Sequence, residues 1–397
     1  MFKNIVITSG VRTAIGDFGG ALAATPTCEL ATLVAREAIG RASVSPSSVD
    51  QAVFGNVIHS EPRDMYLARV AAIDAGLPNS SSALTLNRLC GSGLQAVVTA
   101  AEAIMLGNAE IVVAGGAENM SRVGHLMTTA RFGAKMGDVK ATDMMLGALT
   151  DPFGNGHMGV TAENIAAQES IDRDNQDALA LTSHHRAAAA IKAGYFKEQI
   201  LPVAIKKARK EVLFDTDEHV RVDISPDDLR NLRPAFQKTG TVTAGNASGI
   251  NDGAAALILS SERAASAHNM PRLAFVRSAA VAGVGPEVMG LGPIPAVKKA
   301  LDRAGLAISD LSAIESNEAF AAQACAVASK LDFPPEITNP NGGAIALGHP
   351  VGASGAIILI KLIYELRRTG GRFGLATMCI GGGQGIAVIV ENAEAVQ

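Results

Sequence analysis

Three glycine-rich clusters carry side chains that are suited to nucleophilic or acid–base chemistry. In the first, residues 87–93 (NRLCGSG), Cys90 comes directly before a glycine-rich turn that opens a helix. The free N–H groups and the dipole at a helix N-terminus favour a thiolate over a thiol. The small residues that follow allow a carbonyl group to approach the backbone, whose N–H can stabilise an oxyanion. A buried structural cysteine beside a tight turn is an almost equally good explanation of this cluster.

The other two clusters lie near the C-terminus. His349 stands between Gly348 and Pro350 in NGGAIALGHP (residues 341–350), so we expect it in a turn and not on a helix face. A structural histidine with satisfied hydrogen bonds is the alternative. Cys379 opens CIGGGQG (379–385) at the predicted end of a strand. The GGGxG string lacks the Lys-Ser/Thr of a P-loop and the spacing of a dinucleotide fingerprint, so it is weak support for phosphate binding.

The elements that must position these residues follow an α/β pattern. Residues 111–114 and 387–390 are β-branched runs near glycines, typical of buried parallel strands. Residues 29–41 and 357–368 have the apolar periodicity of helices packed on a sheet. Alternating short strands and amphipathic helices favour an α/β architecture.

The chain also repeats itself at an offset of about 262 residues. Residues 90–93 open a helix that is followed by the strand near 111, and residues 352–355 open a helix that is followed by a strand near 374. Two copies of one α/β unit are therefore predicted, although any two strand–helix units share glycine-bounded turns. If the copies pack as pseudo-symmetric halves, Cys90 faces His349 and Cys379 across one cleft, where α/β sheets bind ligands.

Composition excludes several classes of protein. The 397 residues suggest two or three domains, and 48% hydrophobic against 18% charged residues argues against global disorder. A net charge of −4 argues against a nucleic-acid-binding protein. The four cysteines are scattered without a CxxC pair, which argues against a zinc site or a disulfide framework. No apolar run approaches the roughly 20 residues of a membrane span, and residues 1–7 do not have the pattern of a secretory signal.

The sequence resembles the thiolase family along nearly its whole length. Six ordered motifs carry the resemblance: NRLCGSGLQA (87–96), HMGVTAEN (157–164), TAGNASGINDGAAA (243–256), NEAFAAQ (317–323), NPNGGAIALGHPVGASG (339–355) and CIGGGQG (379–385). Within the family it is most similar to short-chain bacterial β-ketothiolases linked to polyhydroxyalkanoate synthesis, including the broader-specificity type. The resemblance implies an α/β fold, a duplicated αβαβα layered unit with an inserted loop domain.

The same resemblance implies catalytic roles for five residues. Cys90 would be the nucleophile that carries the acyl group as a thioester, and His349 would deprotonate it. Cys379 would be the general acid and base at the substrate carbon. His349 and a water held by Asn317 would stabilise the enolate, and the backbone N–H groups of Cys90 and Gly381 would form a second oxyanion hole.

Five further residues are predicted to bind the substrate. His157, Met158 and Phe320 would line the acyl and pantetheine pocket, Ser248 would bond the pantetheine arm, and Arg221 would lie near the adenine and phosphate end of CoA. A turn residue and a solvated surface arginine are the alternatives for Ser248 and Arg221. A methionine-rich segment after residue 124 resembles the arm through which thiolases form tetramers, and core packing within the insertion is the alternative.

The expected function is that of an acetyl-CoA C-acetyltransferase (β-ketothiolase). It would catalyse ping-pong Claisen condensation of acetyl-CoA with a short acyl-CoA, and thiolysis of short 3-ketoacyl-CoA, with CoA thioesters as substrates and no metal or other cofactor. The alternatives are a degradative 3-ketoacyl-CoA thiolase for longer chains, a decarboxylating condensing enzyme, and a non-catalytic CoA or lipid carrier. The presence of Cys379 argues against a decarboxylating condensing enzyme. The presence of Cys90, His349 and Cys379 together argues against a non-catalytic carrier.

The sequence predicts three regions, an oligomeric state and a cellular compartment. Residues 1–121 with 250–271 form the N-terminal half, 122–249 an inserted loop domain that binds CoA and contributes to oligomerisation, and 272–397 the C-terminal half. We expect a cytoplasmic homotetramer, a dimer of dimers, that binds acyl-CoA and CoA and has no nucleic-acid or membrane partner.

Overall fold

A computed structural model of the protein describes residues 5–207 and 210–396. The strands in these two ranges are β1 (Ile5–Thr13), β2 (Gly16–Asp17), β3 (Gln51–Gly55), β4 (Ser82–Leu86), β5 (Ile111–Asn119), β6 (His125–Leu126), β7 (Thr142–Asp143), β8 (Thr150–Asp151), β9 (Gly156–His157), β10 (Ile200–Leu201), β11 (Val203–Lys207), β12 (Lys210–Phe214), β13 (Asn251–Ser261), β14 (Ala274–Gly283), β15 (Leu311–Ser316), β16 (Phe373–Ile380) and β17 (Gln384–Asn392).

The α-helices within the same ranges cover the sheet and build the insertion. They are α1 (Thr27–Arg41), α2 (Leu67–Asp74), α3 (Ser92–Met105), α4 (Met144–Ala148), α5 (Met158–Gln168), α6 (Arg173–Ala193), α7 (Pro226–Arg230), α8 (Glu262–Ala267), α9 (Pro293–Ala304), α10 (Ala321–Lys330), α11 (Ala344–Leu347) and α12 (Ser354–Thr369). The predicted helices at 29–41 and 357–368 are confirmed by α1 and α12. Among the described residues, none of these helices combines the length and the apolar character that crossing a membrane requires.

The central sheet repeats one strand order, which confirms the predicted duplication. The order is β15-β16-β17-β14-β1-β13-β5-β3-β4. In the first half, β3 runs parallel to β4 and β5, and β13 and β1 follow antiparallel. In the second half, β15 runs parallel to β16 and forms a single parallel bridge with Thr338. Strand β17 is then antiparallel to β16, and β14 is antiparallel to β17. Each half therefore has the same five positions in the same directions.

One predicted strand direction is wrong. Residues 387–390 were expected to form a buried parallel strand, but β17 is antiparallel to both of its neighbours, β14 and β16. The turn at residues 381–383 reverses the chain directly from β16 into β17, and Gly382 and Gly383 supply the positive φ angles that it needs. The strand is apolar on both faces because helices α9 and α12 pack on it, which is the feature that the sequence pattern reports. The other predicted strand, β5, is parallel to β3 and antiparallel to β13.

The two halves meet where helices α3 and α12 cross. A Cβ atom on Gly93 would lie 2.8 Å from the backbone nitrogen of Ala356, and one on Gly355 would lie 2.3 Å from that of Leu94. Adding the repeat offset of 262 to 93 and 94 gives 355 and 356, so one contact is the symmetry mate of the other. Glycine is required at both positions because the helix backbones touch. This crossing brings the N-termini of α3 and α12, and the turns that precede them, to the same place.

The segment between the halves packs on the first half through a buried ion pair. Both guanidinium Nη atoms of Arg12 on β1 bond the carboxylate of Asp217, at 2.7 and 2.9 Å, and both side chains are fully buried. The Arg12 Nε also donates to Gln199 at 2.9 Å, and β10 pairs with the end of β1. Removing one partner of such a pair leaves a buried charge without compensation. These contacts fix the base of the insertion on the sheet.

Candidate active site

A cavity of about 590 Å³ lies at the junction of the two halves and the insertion. Its apolar walls come from elements far apart in the chain, including Val57, Met120, Leu149 and Met289. Seven of the ten predicted site residues line it: Cys90, Met158, Ser248, Phe320, His349, Cys379 and Gly381. The structure therefore brings the three predicted reactive side chains to one small, largely apolar space.

The turn before helix α3 holds Cys90 at the cavity wall. The preceding residue, Leu89, has a φ angle of +47°, a left-handed conformation that is costly for leucine. The side chains of Asn87 and Ser92 stabilise this backbone conformation. The Leu89 N–H donates to Asn87 Oδ1 at 2.8 Å, while Ser92 Oγ accepts from the Arg88 N–H at 2.8 Å and donates to the Leu89 carbonyl at 2.7 Å. The turn therefore imposes a strained backbone that presents the sulfur to the cavity.

Burial of Cys90 opposes the thiolate that a helix N-terminus favours. Burial raises the pKa of the Cys90 thiol to about 11, although hydrogen bonds from the backbone N–H groups of Gly381 and of Cys90 itself lower it. Because desolvation has a larger effect than these two N–H groups, the group is a thiol at neutral pH. A base must therefore remove its proton before the sulfur can attack. The two N–H groups that face the sulfur are the pair predicted to form an oxyanion hole.

His349 is in the protonation state that such a base requires. Its ring is buried, and Nδ1 lies 2.6 Å from Ser354 Oγ. Because the Ser354 hydroxyl donates to the carbonyl of Pro350 at 2.9 Å, it accepts from His349, so Nδ1 carries the proton. Nε2 has no hydrogen-bond partner among the described residues. Burial lowers the pKa of His349 to about 4, so at neutral pH the imidazole is neutral with a free lone pair on Nε2.

The turn that carries His349 is attached to the start of strand β13. The His349 N–H donates to Asn251 Oδ1 at 2.8 Å. Gly348 has a φ angle of +106°, and a Cβ atom there would lie 2.6 Å from the side chain of Asn251. Only glycine fits this conformation in contact with Asn251. His349 is therefore held through its backbone by Asn251 and through its ring by Ser354.

Cys379 and Asn317 lie at the ends of neighbouring strands in the second half. Cys379, near the end of β16, is almost completely buried, and burial followed by the nearby charge of the Cys90 thiolate raises its pKa strongly. Cys379 is therefore a thiol, a proton donor suited to a strongly basic partner. Asn317 follows β15 and its N–H donates to the carbonyl of Thr377 at 3.0 Å. Its Nδ2 is buried and, in the part of the chain that the structure describes, unpaired.

Comparisons with known proteins identify the family of the chain. A family model described as the thiolase N-terminal domain matches residues 5–263, and one described as the thiolase C-terminal domain matches residues 270–392. The chain belongs to the thiolase family. The predicted family, fold and enzyme class, an acyltransferase, are confirmed.

Individual relatives are similar to this thiolase over nearly its full length. Beta-ketothiolase BktB of Cupriavidus necator is 58% identical over 99% of this chain and 100% of its own. An acetyl-CoA acetyltransferase of Chromobacterium violaceum is 49% identical over 98% and 99% of the two chains. A crystal structure of human mitochondrial 3-ketoacyl-CoA thiolase superposes with a TM-score of 0.96 at 43% identity over 99% of each chain. The same human enzyme in complex with CoA has a TM-score of 0.96 and 43% identity, over 99% and 98% of the chains.

Two predicted binding residues of this thiolase lie outside the cavity lining. His157 caps helix α5, where its Nδ1 accepts the N–H of Gly159 at 3.0 Å. Its ring stacks on Phe236 with 4.7 Å between centroids, and Phe236 meets the lining residue Phe320 edge-on at 6.2 Å. His157 therefore contacts the cavity through one intervening ring. Arg221 has an exposed side chain.

Sequence reasoning did not single out Ser354 and Asn251 as positioning residues. Both lie inside the quoted motifs, so their positions were visible, but only the fold shows that one contacts the ring of His349 and the other its backbone. The apolar lining residues Val57, Met120 and Met289 were also missed. They come from three distant elements and have no motif of their own.

Replacing Ser354 with alanine should lower kcat about 10-fold with little change in KM. Without the hydroxyl, Nδ1 of His349 loses its acceptor, and nothing fixes the tautomer that leaves Nε2 free; a buried hydrogen bond of this kind contributes roughly 1–2 kcal/mol. Steady-state thiolysis measures the effect. Ser354→Thr, which restores a hydroxyl, is the matched control and should recover most of the activity. Equal kcat values for the alanine and wild-type proteins would contradict this role of Ser354.

Proposed function

We propose that this thiolase is an acetyl-CoA C-acetyltransferase of the β-ketothiolase type. It condenses acetyl-CoA with acetyl-CoA or a short acyl-CoA, and in reverse it cleaves short 3-ketoacyl-CoA with CoA. One observation carries the proposal: Cys90, His349 with its free Nε2, and Cys379 line a single apolar cavity. The names of the bacterial relatives support the same assignment.

In the first half-reaction, Cys90 becomes acylated. Nε2 of His349 takes the thiol proton as Sγ attacks the carbonyl carbon of acetyl-CoA, and negative charge develops on the thioester oxygen. The N–H groups of Cys90 and Gly381, which bond the sulfur, are the donors for this oxyanion. As the tetrahedral intermediate collapses, CoA leaves with the proton of Cys379. The acyl group stays on Cys90 as a thioester, with His349 protonated and Cys379 a thiolate.

In the second half-reaction, the Cys379 thiolate removes a proton from the methyl carbon of a second acetyl-CoA. The charge of the resulting enolate lies on its thioester oxygen, where the Nε2–H of His349 and a water held by Asn317 are the donors. The unpaired, buried Nδ2 of Asn317 supports that assignment. The enolate carbon then attacks the acyl carbon, the carbon–carbon bond forms, and the Cys90 sulfur leaves and recovers its proton from His349. Thiolysis is the reverse sequence.

CoA thioesters are the substrates, and the scheme needs no metal or redox cofactor because proton transfer and oxyanion stabilisation lower the barrier. Met158, Phe320 and Ser248 would contact the acyl and pantetheine part, since they line the cavity. His157 would support that pocket through its stacked ring, and exposed Arg221 would lie at the adenine and phosphate end. Interaction with CoA is supported by the CoA complex of the similar human enzyme.

A thiolase for longer 3-ketoacyl-CoA is the second candidate, because the superposed human structure is a 3-ketoacyl-CoA thiolase. A chain-length series in thiolysis separates the two, with acetoacetyl-CoA, 3-ketohexanoyl-CoA and longer substrates. We expect the highest kcat/KM for the four- to six-carbon substrates, in line with the names of the bacterial relatives, beta-ketothiolase and acetyl-CoA acetyltransferase. A preference for longer chains would overturn the short-chain assignment. A carrier without catalysis would turn over none of the substrates.

The organisation that we propose keeps the predicted bounds: residues 1–121 with 250–271, residues 122–249, and residues 272–397. The two family models divide the chain between 263 and 270, in the connection from β13 to β14, which supports the boundary near 271. Within the insertion, residues 126–153 expose apolar side chains of the kind that an interface buries: Leu126, Met127, Phe132, Met136, Leu146 and Phe153.

We therefore propose that residues 126–153 form the arm of a homotetramer, a dimer of dimers, in the cytoplasm. Thiols that form no disulfide in the described part of the chain suit a reducing compartment. Light scattering at micromolar concentration should give the mass of four chains. Met136→Glu together with Phe132→Glu should reduce the mass to that of a dimer, because the two side chains are among the most exposed apolar groups of the arm. A wild-type monomer would contradict the arm.

A further inference from the structure

A buried carboxylate lies behind the cavity wall. Glu118, at the end of strand β5, is fully buried. It accepts hydrogen bonds from the N–H groups of Val57 (2.9 Å), Ile58 (3.1 Å) and Gly352 (2.9 Å) and from Nδ2 of Asn56 (3.0 Å). No lysine or arginine among residues 5–207 and 210–396 forms an ion pair with it. Holding a charge with neutral donors alone is costly, so its presence here requires a reason.

The four donors come from both halves of the chain, next to residues that line the active site. Val57 and Ile58 follow strand β3 of the first half, and both line the cavity. Gly352 belongs to the second half, directly after the lining residue Val351 and three residues after His349. One carboxylate therefore connects the wall of the first half to the turn that carries the base.

The packing at this connection leaves almost no free space. A Cβ atom on Gly352 would lie 2.5 Å from Glu118 Oε2. On the other side, Cβ atoms added to Gly116, Gly55 and Gly93 would lie 2.0, 2.9 and 3.0 Å from the carbonyl oxygen of Gly352. The peptide of Gly352 is thus held between the carboxylate and three glycines of the first half. A shorter side chain at 118 cannot be compensated by a small movement of this peptide.

The carboxylate also acts on Cys90 through its charge. The negative charge of Glu118 contributes to the raised pKa of the Cys90 thiol, after the larger effect of burial. Burial raises the pKa of Glu118 itself to about 8, and the N–H groups of Ile58, Val57 and Gly352 work in the opposite direction. The other charged group that faces it is Asp64, whose charge also raises the Glu118 pKa. Above pH 8 the Glu118 carboxylate is ionised and disfavours a second negative charge on Cys90.

We propose that Glu118 is a positioning residue of this thiolase with two effects. It fixes the wall at residues 56–58 against the turn at 349–352, and its negative charge disfavours deprotonation of the Cys90 thiol. The positioning part rests on the proposed function, since its readout is turnover. The electrostatic part does not, because reagents that alkylate Cys90 report its thiolate content without any substrate.

The test compares Glu118→Gln and Glu118→Asp with wild type in two measurements. The first is the rate at which iodoacetamide modifies the Cys90 peptide at pH 9, followed by mass spectrometry. Glutamine removes the charge, so we expect a rate roughly 3- to 10-fold above wild type, equivalent to a fall of about half to one unit in the thiol pKa. Aspartate keeps the charge, so we expect a rate within about twofold of wild type.

The second measurement is thiolysis of acetoacetyl-CoA at pH 9, where the Glu118 carboxylate is ionised and can accept all four hydrogen bonds. Both variants should lose about 10-fold or more in kcat with KM within about threefold, because neither glutamine nor the shorter aspartate can accept all four hydrogen bonds. Glu163→Gln is the matched control. Glu163 is also a buried carboxylate that accepts backbone N–H groups, those of Thr241 and Val242, but it does not line the cavity. We expect this control to leave the alkylation rate and kcat near wild type.

Each result decides part of the proposal. An unchanged alkylation rate in folded Glu118→Gln overturns the electrostatic role, and faster alkylation in Glu118→Asp shows that looser walls, not charge, expose the sulfur. Unchanged kcat in Glu118→Asp overturns the positioning role.

Should Glu118→Gln fail to fold, the pH dependence of alkylation in wild type tests the electrostatic role. The alkylation rate of Cys90 should rise less than tenfold per pH unit around pH 8, where Glu118 ionises. A constant tenfold rise per pH unit contradicts the electrostatic role. Wild type without turnover but with these alkylation results would refute the proposed function alone.

Discussion

Replacing Cys90 with alanine should reduce both condensation and thiolysis by at least about 10⁴-fold. The sulfur is the only protein group in the scheme that forms a bond to the acyl carbon, and removing a covalent nucleophile typically leaves only the contribution of binding and oxyanion stabilisation. Steady-state rates with acetyl-CoA and with acetoacetyl-CoA plus CoA measure the two directions. The fold should be unaffected, because Cys90 contributes a small side chain that is partly accessible from the cavity.

The double variant Cys90→Ala/Cys379→Ala is the control for this experiment. Residues that act in one covalent cycle are not additive, so the double variant should be hardly slower than Cys90→Ala alone. A Cys90→Ala protein with more than a few per cent of wild-type turnover would contradict covalent catalysis on this sulfur. Cys28→Ala tests for unspecific effects, because that buried thiol bonds the carboxylate of Asp64 and does not line the cavity.

Replacing Cys379 with alanine should stop turnover while leaving acylation of Cys90 possible. In the proposed scheme Cys379 exchanges the proton of the substrate carbon, a general acid–base contribution of about 10²- to 10⁴-fold. Acylation of Cys90 keeps its base, His349, and the two backbone N–H groups in this variant; it loses only the proton that Cys379 gives to the departing CoA, which can also leave as a thiolate. We therefore expect steady-state rates lower by about 10³-fold, and a Cys90 thioester that accumulates when the variant is mixed with acetyl-CoA.

The His349 variant separates the two proton-transfer groups. His349→Ala removes the base for Cys90, so the acyl-enzyme should form slowly and turnover should also fall. If Cys379→Ala instead blocks acylation and His349→Ala does not, the assignments of the two groups are reversed. The pH dependence of acylation gives a further check. Because burial lowers the pKa of His349 to about 4, the acylation rate should not fall through protonation of this ring until the pH approaches that value.

The chemistry-bearing residues could be predicted because each stands in a short sequence motif at the end of a strand or before a helix. Cys90 precedes helix α3, Asn317 follows β15 and Cys379 lies near the end of β16, so an α/β repeat with a pseudo-twofold axis brings them to one junction. The reciprocal contacts of Gly93 and Gly355 show how closely the halves follow that axis. Seven of the ten predicted residues line one cavity for this reason.

What could not be predicted depends on burial and on long-range contacts. The extent to which burial raises the pKa of the Cys90 thiol is not visible in the sequence, because desolvation by distant parts of the chain has a larger effect than the N–H groups of Gly381 and Cys90. The direction of β17 was wrong because an apolar strand covered by helices has the same sequence pattern in either direction. Glu118 and Ser354 have no recognisable role until the fold places Gly352 beside one and the ring of His349 beside the other.

The measurement that tests the central claim most directly is the intact mass of the protein after mixing with acetyl-CoA and quenching in acid, followed by peptide mapping. We expect that wild type and Cys379→Ala each gain the mass of one acetyl group, located on the peptide that contains Cys90, and that Cys90→Ala gains none. Wild type should also exchange labelled CoA into acetyl-CoA without a second substrate. An unmodified wild-type chain that nevertheless condenses acetyl-CoA, or an acetyl group on another residue, would contradict the central claim.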